Sequence, residues 1–351
     1  MDYFLGVDGG ATSTTCVVAT DEGVILGIGH GGPSNHILAP GGRERARAAI
    51  EEALRNAIAS AGLLRVEFRA AQFGMTGINA DTEPAQVLAG VAADVLAARS
   101  VGIDNDALVA RAGALACRPG VVVIAGTGSV ALGEDAGGRQ AKAGGWGYIF
   151  GDEGSAFALG LGAVRDALRA RDGTGPETVL TERIPGAIGR SLGQIPVAFY
   201  EGRIHRPQIA ALAPVVTAAA ADGDAVSQEL VREAADRLAA LAAAVIRRLT
   251  WPEGTVGVAP VGGVFSAGPI VLHPLKRALA AHAPGAVLVP PRFVPPVGAL
   301  LLALRAAQIP HTPERLALLA ATWELRTAHV YSARTPGDAG RELPGQSWLT
   351  P

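Results

Sequence analysis

The chain carries the same short pattern twice, once near each of residues 3 and 121. In residues 3–15 (YFLGVDGGATSTT) and in residues 121–130 (VVVIAGTGSV), an apolar run ends in glycines and small hydroxyl residues. Glycines allow a ligand to approach the backbone closely, and backbone amides and hydroxyl groups donate to phosphate oxygens. A further turn follows in each copy, at residues 21–23 and 135–138, so both copies are predicted to form three strands joined by tight turns. We therefore expect two related α/β halves that together bind one nucleotide.

The composition limits the class of protein. With 351 residues the chain is longer than a single core usually supports, so two domains are expected. Apolar residues make up 49% and charged residues 18%, which is typical of a globular protein. The formal net charge of −2 provides no general basic field, so nucleic acid is not predicted as a partner. Charges interrupt the alanine-rich stretches within about 18 residues, so no membrane span is predicted.

Cysteine and lysine are both scarce. Cys16 and Cys117 are too few for a disulfide framework and form no CxxC zinc motif. The chain passes from Met1 directly into a predicted strand, without a basic segment and an apolar signal core, so we expect a reduced, cytoplasmic setting. Lys142 and Lys276 are the only lysines, and the P-loop motif GxxxxGK[ST] is absent. Phosphate would therefore be bound by backbone amides, hydroxyl groups and a metal ion.

The spacing of apolar residues predicts the remaining elements. Helices are predicted at residues 43–61, 84–98, 107–116, 156–170, 207–221, 225–249, 269–283 and 296–307. Further strands are predicted at residues 71–77, 255–261 and 286–289.

These elements predict the domain organisation. We expect a first domain at residues 1–117, completed by the helix at 296–307 and the segment after it, and a second domain at 118–295. The periodicity fades from Ala320, so residues 320–351 are predicted to be a flexible or loosely docked extension.

The first glycine turn has the residue types of a phosphate site. Asp8 stands at the end of the predicted strand, where its carboxylate can hold Mg²⁺ directly or through water. The alternative interpretation is an ordinary hairpin turn. The predicted phosphate-binding residues are Gly9, Gly10, Thr12, Ser13 and Thr14 in the first turn and Gly126, Thr127 and Gly128 in the second.

Two other segments carry polar groups suited to a small ligand. Asp104 and Asp106 lie where a strand passes into a helix, and a carboxylate there can accept a proton or cap the helix. The residues alone leave both roles open. Residues 144–155 (GGWGYIFGDEGS) combine an aromatic ring, glycines and carboxylates, which suits a sugar, although Trp146 among glycines can also fill a domain interface. Asn35 has an amide that either contacts a sugar or satisfies its own turn.

Seven ordered motifs resemble one known family. They are GVDGGATST, GPSNH at residues 32–36, DNDA at 104–107, IAGTGSVAL, GGWGYIFGDEGSA at 144–156, GGVF at 262–265 and PPVGALLLA at 295–303. Over about residues 3–307 the chain resembles the N-acetylglucosamine kinase group of the BadF/BadG/BcrA/BcrD ATPases, in the actin-like, sugar-kinase superfamily. The resemblance implies an α/β fold of two RNase-H-like domains, with ATP and sugar in the cleft between them. It also implies transfer of the ATP γ-phosphoryl group to an amino-sugar hydroxyl, with Mg²⁺ as cofactor.

The resemblance also assigns roles to residues. It places the general base at Asp106, since the matching pattern is an acidic residue directly before the helix. It implies that Asn35 contacts the sugar, and that GGVF forms the adenosine site. The predicted sugar contacts are Asn35, Asp106, Ser129, Gly145, Trp146, Gly147 and Asp152, and the predicted adenosine contacts are Gly262, Gly263 and Ser266. We also expect a homodimer.

Alternative functions make different demands on the sequence. An ATP-driven activator of a radical dehydratase needs two cysteines in the second half, and only Cys117 lies near that region. A nucleotide-gated sensor without catalysis would lack the base or the sugar pocket, whereas Asp106, Asn35 and Asp152 are all present here. The ROK sugar kinases carry a cysteine-rich zinc motif and an ExGH signature, and both are absent from this sequence. Among N-acetylglucosamine, glucosamine, N-acetylmuramate and N-acetylmannosamine we expect N-acetylglucosamine, with phosphorylation at its 6-hydroxyl.

Overall fold

The computed structural model describes residues 1–252 and 254–332, and these divide into two compact units. The first unit contains Met1–Arg118 and the described residues from Pro291 onward, and the second contains the described residues of Pro119–Pro290. Each unit is built on one mixed β-sheet with helices packed against it.

The first unit begins with a β-meander. Its strands are β1 (Tyr3–Gly9), β2 (Thr14–Thr20), β3 (Ile25–Gly31), β4 (Glu67–Met75), β5 (Ala97–Ala98) and β6 (Val101–Asn105). Its helices are α1 (Gly42–Ser60), α2 (Glu83–Val95) and α3 (Asp106–Ala114), with α11 (Pro295–Ala306) and α12 (Pro313–Ser332) from the end of the chain. The sheet order is β3-β2-β1-β4, with both β5 and β6 paired to the far side of β4. Strands β1, β2 and β3 are antiparallel, and β4 runs parallel to β1.

The central strand β1 is buried on both faces. Phe4 packs in a cluster with Leu300 of α11, whereas Leu5 packs in a second cluster with Ile50 of α1. Successive side chains of a strand point to opposite faces, so one apolar run supplies both clusters. A continuous apolar strand is typical of a sheet that is covered by helices on both sides.

A row of glycines on β3 lets helix α1 approach the sheet closely. Gly27, Gly29 and Gly31 lie on one face of β3, and a Cβ at any of them would overlap a backbone carbonyl oxygen of α1. Those carbonyls belong to Ala57, Ala53 and Ala49, which recur at intervals of four residues. The alternating glycines and the alanines four apart therefore form matching surfaces on strand and helix.

The second unit repeats the arrangement of the first. Its strands are β7 (Gly120–Ala125), β8 (Ser129–Glu134), β9 (Gln140–Gly144), β10 (Val256–Val261) and β11 (Ala286–Leu288). Its helices are α4 (Ala156–Arg171), α5 (Leu180–Ile188), α6 (Gln194–Tyr200), α7 (Arg206–Ala210), α8 (Ala213–Ala221), α9 (Ala225–Ile246) and α10 (Pro269–His282). The sheet order β9-β8-β7-β10-β11 matches β3-β2-β1-β4 followed by β5 or β6. The prediction of two related α/β halves is therefore confirmed.

Several predicted elements differ in detail from the structure. The single helix predicted at residues 207–221 is two helices, α7 and α8, because the chain turns at Ala211 and Leu212. Helices α5 and α6 were not predicted, since Pro185 lies inside α5 and Pro196 inside α6, and proline masks a helical pattern. The helix predicted to begin at Ala107 begins at Asp106.

The C-terminal extension predicted at residues 320–351 begins inside a helix. Helix α12 continues to Ser332, and its Leu316 and Leu319 are buried in the cluster that contains Phe4. Farther along, Oγ1 of Thr322 accepts a 3.0 Å hydrogen bond from the backbone N–H of Ile25. Residues 320–332 are thus a docked helix, which corrects the prediction for them. The rest of the predicted extension, residues 333–351, lies outside the described residues.

No single helix in residues 1–252 and 254–332 combines the length and apolar composition needed to cross a bilayer. The helical segments 206–221 and 225–246 reach that length and apolar composition only when they are taken together, and the chain bends by 118° at the break between them.

Candidate active site

The first predicted phosphate turn joins β1 to β2 in the first unit. Gly9 lies opposite Thr14 in the antiparallel pair, and the N–H of Gly10 donates to the carbonyl oxygen of Ser13 at 2.9 Å. Thr12 and Ser13 are exposed at the tip of this turn. Their hydroxyl groups are therefore accessible to a ligand, as the sequence predicts for a phosphate-binding turn.

Thr14 has a different position from the one predicted for it. Its side chain is completely buried, and its Oγ1 lies 2.8 Å from both the carbonyl oxygen of Gly32 and Oγ of Ser34. The N–H of Ser34 in turn donates to the carbonyl oxygen of Gly10 at 3.2 Å. In this structure Thr14 does not offer its hydroxyl to a phosphate but joins the first turn to the loop that contains Asn35.

Asn35 follows the anchored Ser34 directly. Its backbone carbonyl accepts a 3.0 Å hydrogen bond from Nη2 of Arg45, and the next residue, His36, has a left-handed φ of 55°. The side chain of Asn35 is partly exposed. The loop backbone is therefore fixed on both sides of an accessible amide, which suits the sugar contact predicted for it.

Asn105, and neither of its acidic neighbours, caps helix α3. Its Oδ1 accepts a 2.9 Å hydrogen bond from the N–H of Leu108. Oδ1 of Asp104 accepts from both the backbone N–H and the side-chain amide of Asn105, at 2.7 and 3.1 Å. Asp106 takes no part in this cap, so its carboxylate is left for another role. The cap is therefore made by Asn105, and the general-base role of Asp106 stays a prediction.

Asp106 is held by a residue that the sequence analysis did not single out. Oγ1 of Thr76 donates a 2.7 Å hydrogen bond to Oδ2 of Asp106. The backbone N–H of the same threonine donates to the carbonyl oxygen of Gly9 at 2.9 Å. Thr76 therefore links the first phosphate turn to the predicted base. The sequence feature that could have identified Thr76 is the glycine turn directly after β4, in which Thr76 precedes Gly77.

Asp8 lies close enough to Asp106 for their charges to interact. Burial raises the pKa of Asp8 to about 7, and the negative charge of Asp106 adds to the increase. Asp8 lies in β1, and Asp106 directly follows β6 as the first residue of α3. Strands β1 and β6 run parallel to β4 on either side of it, so their ends meet at one edge of the sheet. A cation at this edge would relieve the repulsion between them.

A metal ion at this edge would take few ligands from the protein. In residues 1–252 and 254–332, no three His, Cys, Asp or Glu side chains are grouped so that they could hold a metal ion. Mg²⁺ is commonly bound by one or two carboxylates together with water and substrate phosphates. Asp8 fits that pattern, either as a direct ligand or through water.

The second predicted phosphate turn joins β7 to β8 in the second unit. The N–H of Gly126 donates to the carbonyl oxygen of Gly128 at 3.0 Å, and Thr127 is exposed at the tip. The carbonyl oxygen of Gly126 accepts a 2.8 Å hydrogen bond from the N–H of Ala156, at the start of α4. This turn occupies the same place in its sheet as the first turn does in the other unit.

The predicted adenosine segment lies beside this second turn. Gly262 follows β10, which runs parallel to β7, and it has a φ of 114°. A Cβ on Gly262 would lie 2.5 Å from the carbonyl oxygen of Ala125, so only glycine fits. Gly263 begins a short 3₁₀ helix (Gly263–Ala267) on which Ser266 is exposed. The structure thus brings the predicted nucleoside and phosphate segments of the second unit together.

Asp152 is buried in the second unit. Its side chain is 5% exposed, and its φ of 62° is unusual for a residue other than glycine. Oδ1 accepts from the N–H of Ser129 at 3.1 Å, and Oδ2 accepts from Nη2 of Arg206 at 2.5 Å. The hydroxyl of Ser129 donates to the carbonyl oxygen of Glu153 at 2.7 Å. A carboxylate has about four acceptor sites, so these two contacts leave acceptor sites for a sugar hydroxyl. Sugar contact by Asp152 stays a prediction.

The glycine-rich loop before Asp152 exposes its large apolar residues. Trp146 is 76% exposed, and Ile149 and Phe150 are also exposed. Gly145 and Gly147 have φ values of 74° and 83°, which only glycine adopts without strain. The ring of Trp146 is therefore not part of the core of its unit, and its apolar face is accessible.

The chain is similar to one protein family and to named relatives within the amino-sugar kinases. The family model of the BadF/BadG/BcrA/BcrD ATPases matches residues 5–303. A relative from Clostridium acetobutylicum named N-acetylmuramic acid/N-acetylglucosamine kinase is 31% identical over 76% of this chain and 86% of its own length. A relative from Dictyostelium discoideum named N-acetyl-D-glucosamine kinase is 28% identical over 87% of this chain and 98% of its own.

A solved structure is also similar. A Chromobacterium violaceum protein, proposed to be an N-acetylglucosamine kinase, superposes with a TM-score of 0.70 at 28% identity. The match covers 87% of this chain and 99% of the other.

Proposed function

Because the chain belongs to the BadF/BadG/BcrA/BcrD ATPase family, we propose that it transfers the γ-phosphoryl group of ATP to the 6-hydroxyl of N-acetylglucosamine. The relatives from Clostridium acetobutylicum and Dictyostelium discoideum are both named as amino-sugar kinases that act on N-acetylglucosamine. Their similarity supports an ATP:sugar phosphotransferase of the amino-sugar class.

The observation that carries the proposal is the arrangement of Asp106. Its carboxylate stands at the first turn of α3, is not used for the helix cap and is oriented by Thr76. A sugar hydroxyl attacks phosphorus more readily when a carboxylate accepts its proton. Asp106 would accept that proton at its oxygen atoms, while Thr76 keeps the carboxylate in one orientation.

The residues of the two turns suit a nucleotide with Mg²⁺. Backbone amides and hydroxyl groups at residues 10–13 and 126–128 would bind the phosphates, and Asp8 would hold the metal ion directly or through water. Gly262, Gly263 and Ser266 would contact the nucleoside. When bound, Mg²⁺ neutralises charge on the phosphate oxygens. Its positive charge also favours the ionised form of Asp8, whose pKa is about 7 without it.

Several of the predicted sugar contacts carry groups that suit a sugar. Asn35 has a partly exposed amide on a fixed loop, and Trp146 has an exposed ring that can cover the apolar face of a sugar. Asp152 would contribute a carboxylate acceptor. A second substrate, N-acetylmuramate, is favoured by the name of the Clostridium acetobutylicum relative.

Three further expectations accompany the proposed function. The scarcity of cysteine supports a reduced, cytoplasmic setting. The homodimer stays a prediction that size-exclusion chromatography with light scattering would check. The domain boundaries at residues 117 and 295 stay predictions that limited proteolysis would check.

A panel of sugars tests the proposed function. Purified protein with Mg-ATP is offered N-acetylglucosamine, N-acetylmuramate, glucosamine, N-acetylmannosamine and glucose, and ADP release is followed. We expect the largest kcat/KM with N-acetylglucosamine, and phosphorus coupling to the C6 protons in NMR spectra of the product. The Asp106→Asn variant supplies the background rate. No ADP release above that background with any sugar would refute the kinase proposal.

A further inference from the structure

One guanidinium group connects three parts of the second unit. Nη2 of Arg206, at the start of α7, donates to Oδ2 of Asp152 at 2.5 Å and to the carbonyl oxygen of Thr127 at 3.1 Å. The Cζ atom of Arg206 also lies 5.3 Å from the centroid of the Tyr148 ring. Thr127 belongs to the second phosphate turn, Asp152 is a predicted sugar ligand, and Tyr148 lies in the glycine-rich loop.

The Asp152 carboxylate is buried and depends on Arg206 for its charged partner. Only 5% of its side chain is exposed, against 31% for Arg206, so the carboxylate has little access to water. A buried charge needs a partner, and removal of one member of such a pair leaves the other uncompensated. The second contact, from the N–H of Ser129, fixes only Oδ1. Arg206 therefore determines where Oδ2 lies.

Gly128 adds evidence that this cluster is tightly packed. A Cβ at Gly128 would lie 2.9 Å from Nη2 of Arg206 and 2.9 Å from both carboxylate oxygens of Asp152. The phosphate turn and the ion pair thus lie against each other, without space for a side chain at residue 128.

We propose that Arg206 is a positioning residue that sets sugar affinity by holding Asp152 and the Gly126–Gly128 turn in one arrangement. This inference rests on the proposed function, because it takes Asp152 as a sugar ligand. Without the guanidinium, Asp152 loses its charged partner, and the Thr127 carbonyl loses a donor. The carboxylate then leaves the orientation in which it meets the sugar.

The test compares three variants with the full-length wild-type protein. Arg206→Met keeps the apolar stem and removes the charge. Arg206→Lys keeps a positive charge. The substitution removes no hydrogen bond of the arginine Nε, because in residues 1–252 and 254–332 that atom is buried without a hydrogen-bond partner. Arg203→Met is the matched control, since Arg203 lies three residues earlier on the exposed surface and pairs only with Glu201 among the contacts described.

Sugar binding is measured by calorimetry without ATP, and steady-state kinetics are measured with ATP. We expect Arg206→Met to raise both the Kd and the KM for N-acetylglucosamine roughly tenfold or more, which is the scale for a truncated buried charge pair. Arg206→Lys should recover part of this loss, and Arg203→Met should match the wild type. Thermal melting is recorded for every variant.

The outcomes separate the two proposals. If wild-type protein phosphorylates no amino sugar, the proposed function fails. If wild-type protein is active but Arg206→Met has an unchanged sugar Kd, the role of Arg206 is refuted. A lowered melting temperature with an unchanged Kd would also refute it, because that pattern indicates a purely structural residue. If Arg206→Met does not fold, the Arg206→Lys variant decides. A sugar Kd and KM equal to those of the wild type would refute the proposal, and a raised sugar Kd would support it.

Discussion

Thr76 and Asp106 are joined by a 2.7 Å hydrogen bond from the threonine hydroxyl to Oδ2 of the carboxylate. The backbone N–H of Thr76 meanwhile donates to the carbonyl oxygen of Gly9. Thr76, which directly follows β4, thus fixes the predicted base relative to the first phosphate turn. Such a link orients the carboxylate before substrate arrives, and pre-orientation of reacting groups lowers the barrier to reaction.

Replacement of Thr76 by valine should lower kcat. Valine has nearly the same shape as threonine but cannot donate to Asp106, and a hydrogen bond to a charged group contributes about 1.5–3 kcal/mol. We expect kcat to fall roughly tenfold or more, while the KM for ATP changes little. Thr76→Ser keeps the hydroxyl and serves as the control. Steady-state kinetics with N-acetylglucosamine would contradict the prediction if the serine and valine variants had the same kcat.

Replacement of Asp106 by asparagine should remove most of the activity. An amide cannot accept the proton of the sugar hydroxyl, and loss of a general base typically costs about 10²–10⁴-fold in rate. The binding of ATP, measured by calorimetry, should stay close to that of the wild type. Asp104→Asn is the matched control, because Asp104 contacts Asn105 and does not contact Thr76 in the bonds described. A severe loss in Asp104→Asn with a mild effect in Asp106→Asn would reverse the assignment.

Replacement of Asp8 by asparagine should change how stability depends on pH. Burial, together with the charge of Asp106, raises the pKa of Asp8 from 3.8 to about 7 in the folded protein. The folded state therefore binds the proton more tightly than the unfolded state does. The wild type loses stability through this group as the pH rises from about 4 to 7, and the neutral variant does not.

We expect the free energy of unfolding of Asp8→Asn, relative to wild type, to increase over that range by on the order of 2–4 kcal/mol. The measurement is chemical denaturation at several pH values in buffer with a chelator. Asp94→Asn is the control, since Asp94 is an exposed residue that pairs with Arg43. A pH-independent difference for Asp8→Asn would contradict a raised pKa of Asp8 in the folded protein.

Replacement of Gly29 by alanine should destabilise the first unit. A Cβ at this position would overlap the carbonyl oxygen of Ala53 and the N–H of Ala57 on helix α1. Overpacking of this kind typically costs about 1–3 kcal/mol, and backbone atoms relax less than side chains do. Gly32→Ala is the control, because no heavy atom lies within 4 Å of the added Cβ there. Equal melting temperatures for the two variants would argue against close packing of α1 on β3.

Much of the fold could be predicted because its signals are local. The hairpin turns at residues 10–13 and 126–128 depend on glycines and hydroxyl residues within a few positions of each other. Helices such as α1 and α9 carry a regular apolar spacing. Helices α5 and α6 were missed because their prolines hide the same spacing, and packing of Leu180 and Ile195 in the core of the second unit stabilises them instead.

Sequence alone therefore determined the duplicated hairpins, the α/β class and the family, since each is written in contiguous motifs. Tertiary structure decided which polar groups act together. Thr76 reaches Asp106 across 30 residues, and Arg206 reaches Asp152 across 54. It also buried Thr14 and assigned the helix cap to Asn105, which leaves Asp106 available. A hydrogen bond requires two atoms within about 3 Å, and only the folded chain sets that distance for residues far apart in sequence.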